Sequence, residues 1–236
     1  MPTRTVHMTH PESYDAPKKY VLVLSCVDAR LLDDLVGFLD HDNLTNRYYH
    51  VTLPGTSLGL TDRWKKDRPK PCKENQQKPN ENLPVGSFVR KEPCYPIDLE
   101  DQFARWRLTF IDQVKAALIL TEGQLTDIYI VQHEDCGAFR FYMEKNSSDM
   151  SDNDELEMHE SYSQALVDDI KASFREVYNA IDTNCIPVQE KMPRLHTFYM
   201  DLRGHVTHLS TYPKDKSKPT AKSKATKTPS KPSVRN

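Results

Sequence analysis

The stretch that decides the fold is residues 20–30, which read YVLVLSCVDAR. Residues 20–24 form a continuous apolar run, which is typical of a strand covered on both faces in a parallel sheet. Cys26 follows this run, and Asp28 and Arg30 come directly after it. Because ligands of open α/β sheets gather outside the carboxyl ends of the strands, these three residues are candidates for a functional site.

Strand patterns and helical patterns alternate through the rest of the chain. Further strands are predicted at 48–53 and 127–132, helices at 32–39, 99–118 and 162–181, an acidic loop at 144–160, and a hairpin at 197–209. This alternation predicts an α/β fold. We expect a mostly parallel central sheet of four strands with a fifth, antiparallel edge strand, and helices on both faces of the sheet.

Composition divides the chain into one domain with appendages. The 236 residues suffice for one buried core, which we place at 19–210 after an N-terminal extension at 1–18. Residues 61–98 hold six prolines and nine basic residues with little apolar periodicity, so an irregular insertion is predicted there. Residues 211–236 are rich in Lys, Pro, Ser and Thr, which predicts a disordered tail.

Charge and targeting signals limit the partners. From Lys214 onward the chain carries seven Lys, one Arg and one Asp, a balance of +7 within a net charge of −2. Such a tail can touch polyanions weakly, but we expect no dedicated nucleic-acid binding. No apolar run is long enough to span a membrane, and the first residues lack the features of a signal peptide. The odd count of five cysteines argues against a disulfide framework, so we expect a cytoplasmic protein.

Two further chemistry-bearing residues follow the strand at 127–132. These are His133 and Cys136, in the stretch HEDCG. If this strand neighbours the first one, both residues reach the crevice that Cys26 also reaches. One His and two Cys form a three-ligand set, which is typical of catalytic zinc, because structural zinc sites close with a fourth protein ligand. Zn²⁺ is therefore the expected cofactor.

Asp28 and Arg30 complete this predicted site. Arg30 can hold the carboxylate in a two-pronged contact that fixes its orientation and keeps it ionised. A carboxylate two residues from a metal ligand can instead bind the metal as a fourth ligand. We leave both arrangements open. In the first the fourth zinc position is open to water, and in the second Asp28 closes it.

The order Cys26-x-Asp28-x-Arg30 and then His133-x-x-Cys136-Gly137 resembles the β-class carbonic anhydrases. The resemblance runs over about 19–60 and 99–209. It implies zinc on Cys26, His133 and Cys136, with Asp28 and Arg30 as a catalytic dyad. It also implies reversible hydration of carbon dioxide to bicarbonate by a zinc-bound hydroxide, in a homodimer or larger homo-oligomer.

The turn after the second strand departs from that family pattern. The chain has Leu53-Pro54-Gly55-Thr56-Ser57 where the family usually has Ala-Gly-Asn. We expect Gly55 and Gly137 to line the substrate cleft. The altered turn and the insertion keep two alternatives open. One is a hydrolase for carbon disulfide or carbonyl sulfide on the same fold, and the other is a catalytically silent zinc-bearing homologue with an interaction role.

Overall fold

A five-stranded sheet forms the centre of the structure, a computed structural model that describes residues 19–45, 47–67, 98–179 and 192–213. The strand order is β2-β1-β3-β4-β5. The strands are β1 (Tyr20–Ser25), β2 (Tyr48–Thr52), β3 (Leu125–His133), β4 (Arg194–Met200) and β5 (Val206–Tyr212). The first four are parallel to their neighbours, and β5 runs antiparallel to β4 at the edge. The predicted fold class is confirmed.

Helices cover both faces of this sheet. They are α1 (Leu32–His41), α2 (Trp64–Asp67), α3 (Leu99–Leu120), α4 (Gly137–Met143) and α5 (Asp152–Asn179). Leu22 and Leu24 of β1 pack with α3 and α5 on one face, while Val21 and Val23 pack with α1 and α4 on the other. Burial on both faces is the reason why β1 reads as a continuous apolar run.

The predicted loop at 144–160 is wrong over its second half, because α5 begins at Asp152. The helix start is fixed by a reciprocal cap. The Ser151 hydroxyl donates to the Asp154 carboxylate at 2.7 Å and accepts the Asp154 backbone N–H at 3.2 Å. Acidic side chains in the first turn also interact favourably with the helix dipole. The run of acidic residues therefore starts a helix.

Residues 61–67, where the predicted insertion begins, include the short helix α2. Trp64 of this helix is only 2% exposed, and its ring packs edge-to-face on Phe103 at 5.0 Å. Residues 68–97 lie outside the described residues, as do 1–18, 180–191 and 214–236, so the extension, the rest of the insertion and the tail remain predictions. Strand β5 continues to Tyr212, two residues past the expected boundary. Within the described ranges, none of the helices combines the length and the apolar character needed to cross a membrane.

Gly59 provides a test of the packing between the β2–α2 connection and α3. A Cβ at this position would lie 2.5 Å from the ring of Trp106 and 2.7 Å from that of Phe103. We expect Gly59→Ala to lower the free energy of unfolding by about 1–3 kcal/mol, because two packed rings must shift. Urea denaturation followed by tryptophan fluorescence measures the change.

Gly37→Ala is the matched control for that substitution. Gly37 lies exposed in α1, and a Cβ there would meet no described atom within 4 Å. The added methyl group should stabilise the protein by about 0.5–1 kcal/mol, because glycine is a poor helix former. Equal effects of the two substitutions would contradict the packing described around Gly59.

Candidate metal centre

Cys26, His133 and Cys136 meet at the carboxyl ends of β1 and β3. The strands are paired in parallel with Ser25 opposite Val131, so Cys26, one residue past β1, lies beside the end of β3. All three side chains are buried, and their ligand atoms lie within 4.8 Å of one another. Cys136 reaches the group from the start of α4. The structure thus brings together the three ligands that the sequence predicts.

The spacing of the two sulfurs fits one zinc ion. The Sγ atoms of Cys26 and Cys136 are 3.9 Å apart. Two thiolates bound tetrahedrally at about 2.3 Å from one zinc ion lie about 3.8 Å apart. The two cysteines therefore need almost no rearrangement to bind the same ion.

The ring of His133 is oriented to offer a lone pair to the same point. Its Nδ1 lies 2.7 Å from the carbonyl oxygen of Glu134. Because a carbonyl can only accept, Nδ1 carries the ring hydrogen, and Nε2 is the nitrogen with the free lone pair. Nε2 is buried and has no hydrogen-bond partner among the described residues. Buried polar atoms normally have a hydrogen-bond partner. A buried nitrogen without one, beside two cysteine sulfurs, is therefore a candidate metal ligand.

The two thiols have opposite pKa shifts. A hydrogen bond from Cys136 is the main cause that lowers the pKa of Cys26, which reaches about 4 despite burial. The backbone N–H of Gly55 also donates to the Cys26 sulfur, at 3.3 Å. The same pairing, together with burial, raises the pKa of Cys136 well above its usual value. Cys26 is therefore a thiolate at neutral pH, and binding of a metal by both sulfurs would release the proton of Cys136.

The carboxylate of Asp28 is bound by the guanidinium of Arg30. This is one of the two arrangements that the sequence left open. The Arg30 guanidinium donates from Nε to one carboxylate oxygen at 3.0 Å and from a terminal nitrogen to the other at 2.7 Å. This hydrogen bonding is the main cause that lowers the pKa of Asp28 to about 2. Asp28 is therefore a permanently ionised acceptor whose orientation is set by Arg30.

Sequence reasoning missed Asp135, which binds the other side of the same guanidinium. Arg30 donates to the Asp135 carboxylate at 2.9 Å and to its backbone carbonyl at 2.8 Å. Asp135 stands between two predicted ligands, His133 and Cys136, and its place inside that motif was the signal that could have identified it. Arg30 thus connects the loop after β1 with the loop after β3.

A cavity of about 310 Å³ opens beside the ligands. Cys26 and Asp28 line it together with apolar side chains that include Val27, Pro54 and Phe141. Val27 and Phe141 are 54% and 44% exposed, so the cavity has an apolar rim that solvent reaches. The arrangement provides a small, mostly apolar space directly beside the candidate metal position and an ionised carboxylate.

The two glycines expected in the cleft have different environments. Gly137 lines the cavity beside the predicted ligands. Gly55 does not; it is buried, and its neighbour Pro54 forms the wall. Gly55 has a φ of +70°, and a Cβ there would lie 2.8 Å from the Cβ of Leu58. Its backbone is therefore free to approach the Cys26 sulfur, to which its N–H donates. That either glycine lines a substrate cleft stays a prediction.

Comparisons with known proteins give limited information. No protein-family model matches the sequence, and no curated protein matches it either. Among solved structures the chain is similar to the β-carbonic anhydrase isoform I of the protozoan Trichomonas vaginalis, with 14% identity, a TM-score of 0.32, and coverage of 84% of this chain and 87% of that one. At this identity and TM-score the likeness assigns no activity to this chain.

The thiol pKa values lead to a test by alkylation of the metal-free protein. Because the lowered pKa keeps Cys26 ionised above about pH 4, its rate with iodoacetamide should stay nearly constant from pH 6 to 8.5. An ordinary thiol reacts about tenfold faster per pH unit in this range, since it is still titrating. Peptide mass spectrometry measures the rate at Cys26 separately from the other cysteines.

Zinc provides the control for this experiment. Added zinc should protect Cys26 and Cys136 together, because one ion at this position would bind both sulfurs. An alkylation rate at Cys26 that climbs steeply between pH 7 and 8.5 would contradict the thiolate assignment. Protection of only one of the two cysteines would contradict the shared site.

Proposed function

We propose that this chain is a zinc-dependent carbonic anhydrase that catalyses the reversible hydration of carbon dioxide to bicarbonate. The observation that carries the proposal is the position of Asp28. It lines the same cavity as Cys26, one of three converging zinc-type ligands, and it is held there in ionised form by Arg30. Zinc held by three protein ligands leaves a place for water, which suits catalysis more than a structural site does.

The metal and the carboxylate divide the chemistry between them. When bound, zinc supplies a Lewis acid that activates a water molecule at neutral pH. Asp28, which lines the cavity, would accept a hydrogen bond from that water and orient it. With a pKa of about 2, Asp28 stays an anion throughout the working range and does not store the proton. The proton therefore passes to buffer by another route.

The apolar rim suits a small linear substrate without charge. Carbon dioxide makes few strong hydrogen bonds, so a polar pocket would hold water in preference to it. Val27, Pro54 and Phe141 present apolar surface beside Asp28. Bicarbonate is charged, so this apolar surface stabilises it little.

Location and assembly complete the proposal. The resemblance and the sequence features support a cytoplasmic enzyme that works as a homodimer or larger homo-oligomer. Sedimentation of the zinc-loaded protein measures the assembly independently of activity.

Substitution of Asp28 separates the proposed chemistry from metal binding. Asp28→Asn removes the charge and accepts hydrogen bonds more weakly, so kcat/KM for hydration should fall about 10²–10³-fold, the range seen when one oriented polar partner is removed. Bound zinc should stay at one per chain, because Asp28 lies on Arg30. Stopped-flow assays with a pH indicator measure hydration, and metal analysis measures zinc.

Two controls make that experiment decisive. Asp33→Asn changes an exposed carboxylate in the first turn of α1 and should leave hydration unchanged. Cys26→Ser should abolish both zinc binding and hydration. Hydration by the zinc-loaded wild type no faster than by Cys26→Ser would overturn the proposal. Sulfide release from carbonyl sulfide or carbon disulfide in that case would favour the hydrolase alternative, and bound zinc without any turnover would favour the silent homologue.

A further inference from the structure

Glu155 is a buried carboxylate that lies directly against the turn of the metal centre. It belongs to the first turns of α5 and is 4% exposed. One of its oxygens accepts the backbone N–H of Asp135 at 2.8 Å and the Ser147 hydroxyl at 2.6 Å. Asp135 lies between the ligands His133 and Cys136. Glu155 therefore reaches the metal centre through the backbone of the turn and not through a ligand side chain.

The turn at Asp135 needs such support. Asp135 has a φ of +50°, a left-handed conformation that is unfavourable for a residue other than glycine. Three hydrogen bonds from two residues hold it in place. Glu155 binds its N–H, while Arg30 binds its carbonyl and its carboxylate. If either partner were removed, the turn would be free to relax toward commoner backbone angles, and Cys136 would move with it.

A buried histidine ring lies behind Glu155. The buried ring of His159, one helical turn further along α5, lies 3.8 Å from the same Glu155 oxygen. Its other nitrogen lies 3.3 Å from the side-chain oxygen of Gln132. The ring also packs against Phe139 of α4, at 4.6 Å between centroids. The ring thus fills the space between Glu155, the end of β3 and α4, so Glu155 stays shielded from solvent on this side.

We propose that Glu155 is a positioning residue of the metal centre. Its carboxylate fixes the turn at Asp135, and through this turn it fixes the ligand Cys136 and the guanidinium of Arg30 that holds Asp28. The effect on the ligands concerns metal affinity alone. The effect on Asp28 rests on the proposed hydration function.

Two substitutions at Glu155 test the proposal. Glu155→Ala leaves the Asp135 N–H without its acceptor, and the zinc dissociation constant should rise about 10–100-fold, the usual effect of losing an outer-shell partner. Glu155→Gln keeps a side-chain oxygen at the same place and should bind zinc nearly as the wild type does. Competition with a chromophoric chelator measures the affinity. The absorption spectrum of the cobalt-substituted protein reports the ligand geometry.

Matched variants separate positioning from a general loss of stability. Val167→Ala removes core packing from the same helix without reaching the turn, and exposed Glu157→Ala removes a carboxylate two residues away from Glu155. Both should keep the wild-type zinc affinity and cobalt spectrum, whatever their urea midpoints. The proposal is overturned if Glu155→Ala keeps wild-type affinity, if Val167→Ala loses as much affinity at an equal loss of stability, or if Glu155→Gln binds zinc as poorly as Glu155→Ala.

Metal binding and hydration fail in distinguishable ways. If the wild type binds zinc without hydrating carbon dioxide, the proposed function falls, while the zinc affinities still decide the role of Glu155. If the wild type hydrates carbon dioxide and Glu155→Ala matches it in both affinity and kcat/KM, only the positioning role falls. For an active enzyme reloaded with saturating zinc, we expect Glu155→Ala to lower kcat, because Arg30 then holds Asp28 less firmly.

Discussion

The parallel pairing of β1 with β3 is the constraint on which the rest of the site depends. In this register Ser25 lies opposite Val131, so the chain leaves the two strands at the same edge of the sheet with Cys26 and His133 side by side. A slip of one residue would turn each side chain of β1 to the opposite face. That slip would move Leu22 and Leu24 out of one core and Val21 and Val23 out of the other. The apolar packing on both faces therefore fixes the geometry of the ligands.

The ligand group has an energetic cost that a bound cation would offset. The Nε2 atom of His133 is buried without a partner among the described residues, and a buried polar group in that situation costs about 1–3 kcal/mol. Beside it, the Cys26 thiolate receives the Gly55 N–H and the Cys136 thiol. A cation at this point would satisfy the nitrogen and both sulfurs together. The His133 nitrogen that weakens the fold without a metal would help to stabilise it with one.

The site residues that follow strand ends could be predicted from the sequence. Those on a polar face of α5 could not. Cys26 and His133 are recognisable because each comes at the end of an apolar run, and parallel strands bring such ends together. Glu155 and His159 also share one helix face, at i and i+4, but that face is buried against a polar turn. Apolar periodicity marks only faces that pack on apolar surface, so an acidic stretch such as 144–160 looks like a loop. The hydrogen bonds of Asp135 form with its backbone in a left-handed conformation. The residues around it contain no pattern that predicts this conformation.

The geometry around Arg30 explains why this position suits arginine and not lysine. The guanidinium makes four side-chain hydrogen bonds, two to Asp28 and two to Asp135, and they leave it in diverging directions within one plane. A lysine ammonium is a point charge that cannot span two carboxylates and a carbonyl in fixed directions. Because one planar group binds both partners, Arg30 connects the position of Asp28 to that of the turn that carries Cys136. A displacement of this turn would therefore be transmitted to the carboxylate beside the cavity, so that a metal ion bound by Cys136 would be coupled to the orientation of Asp28.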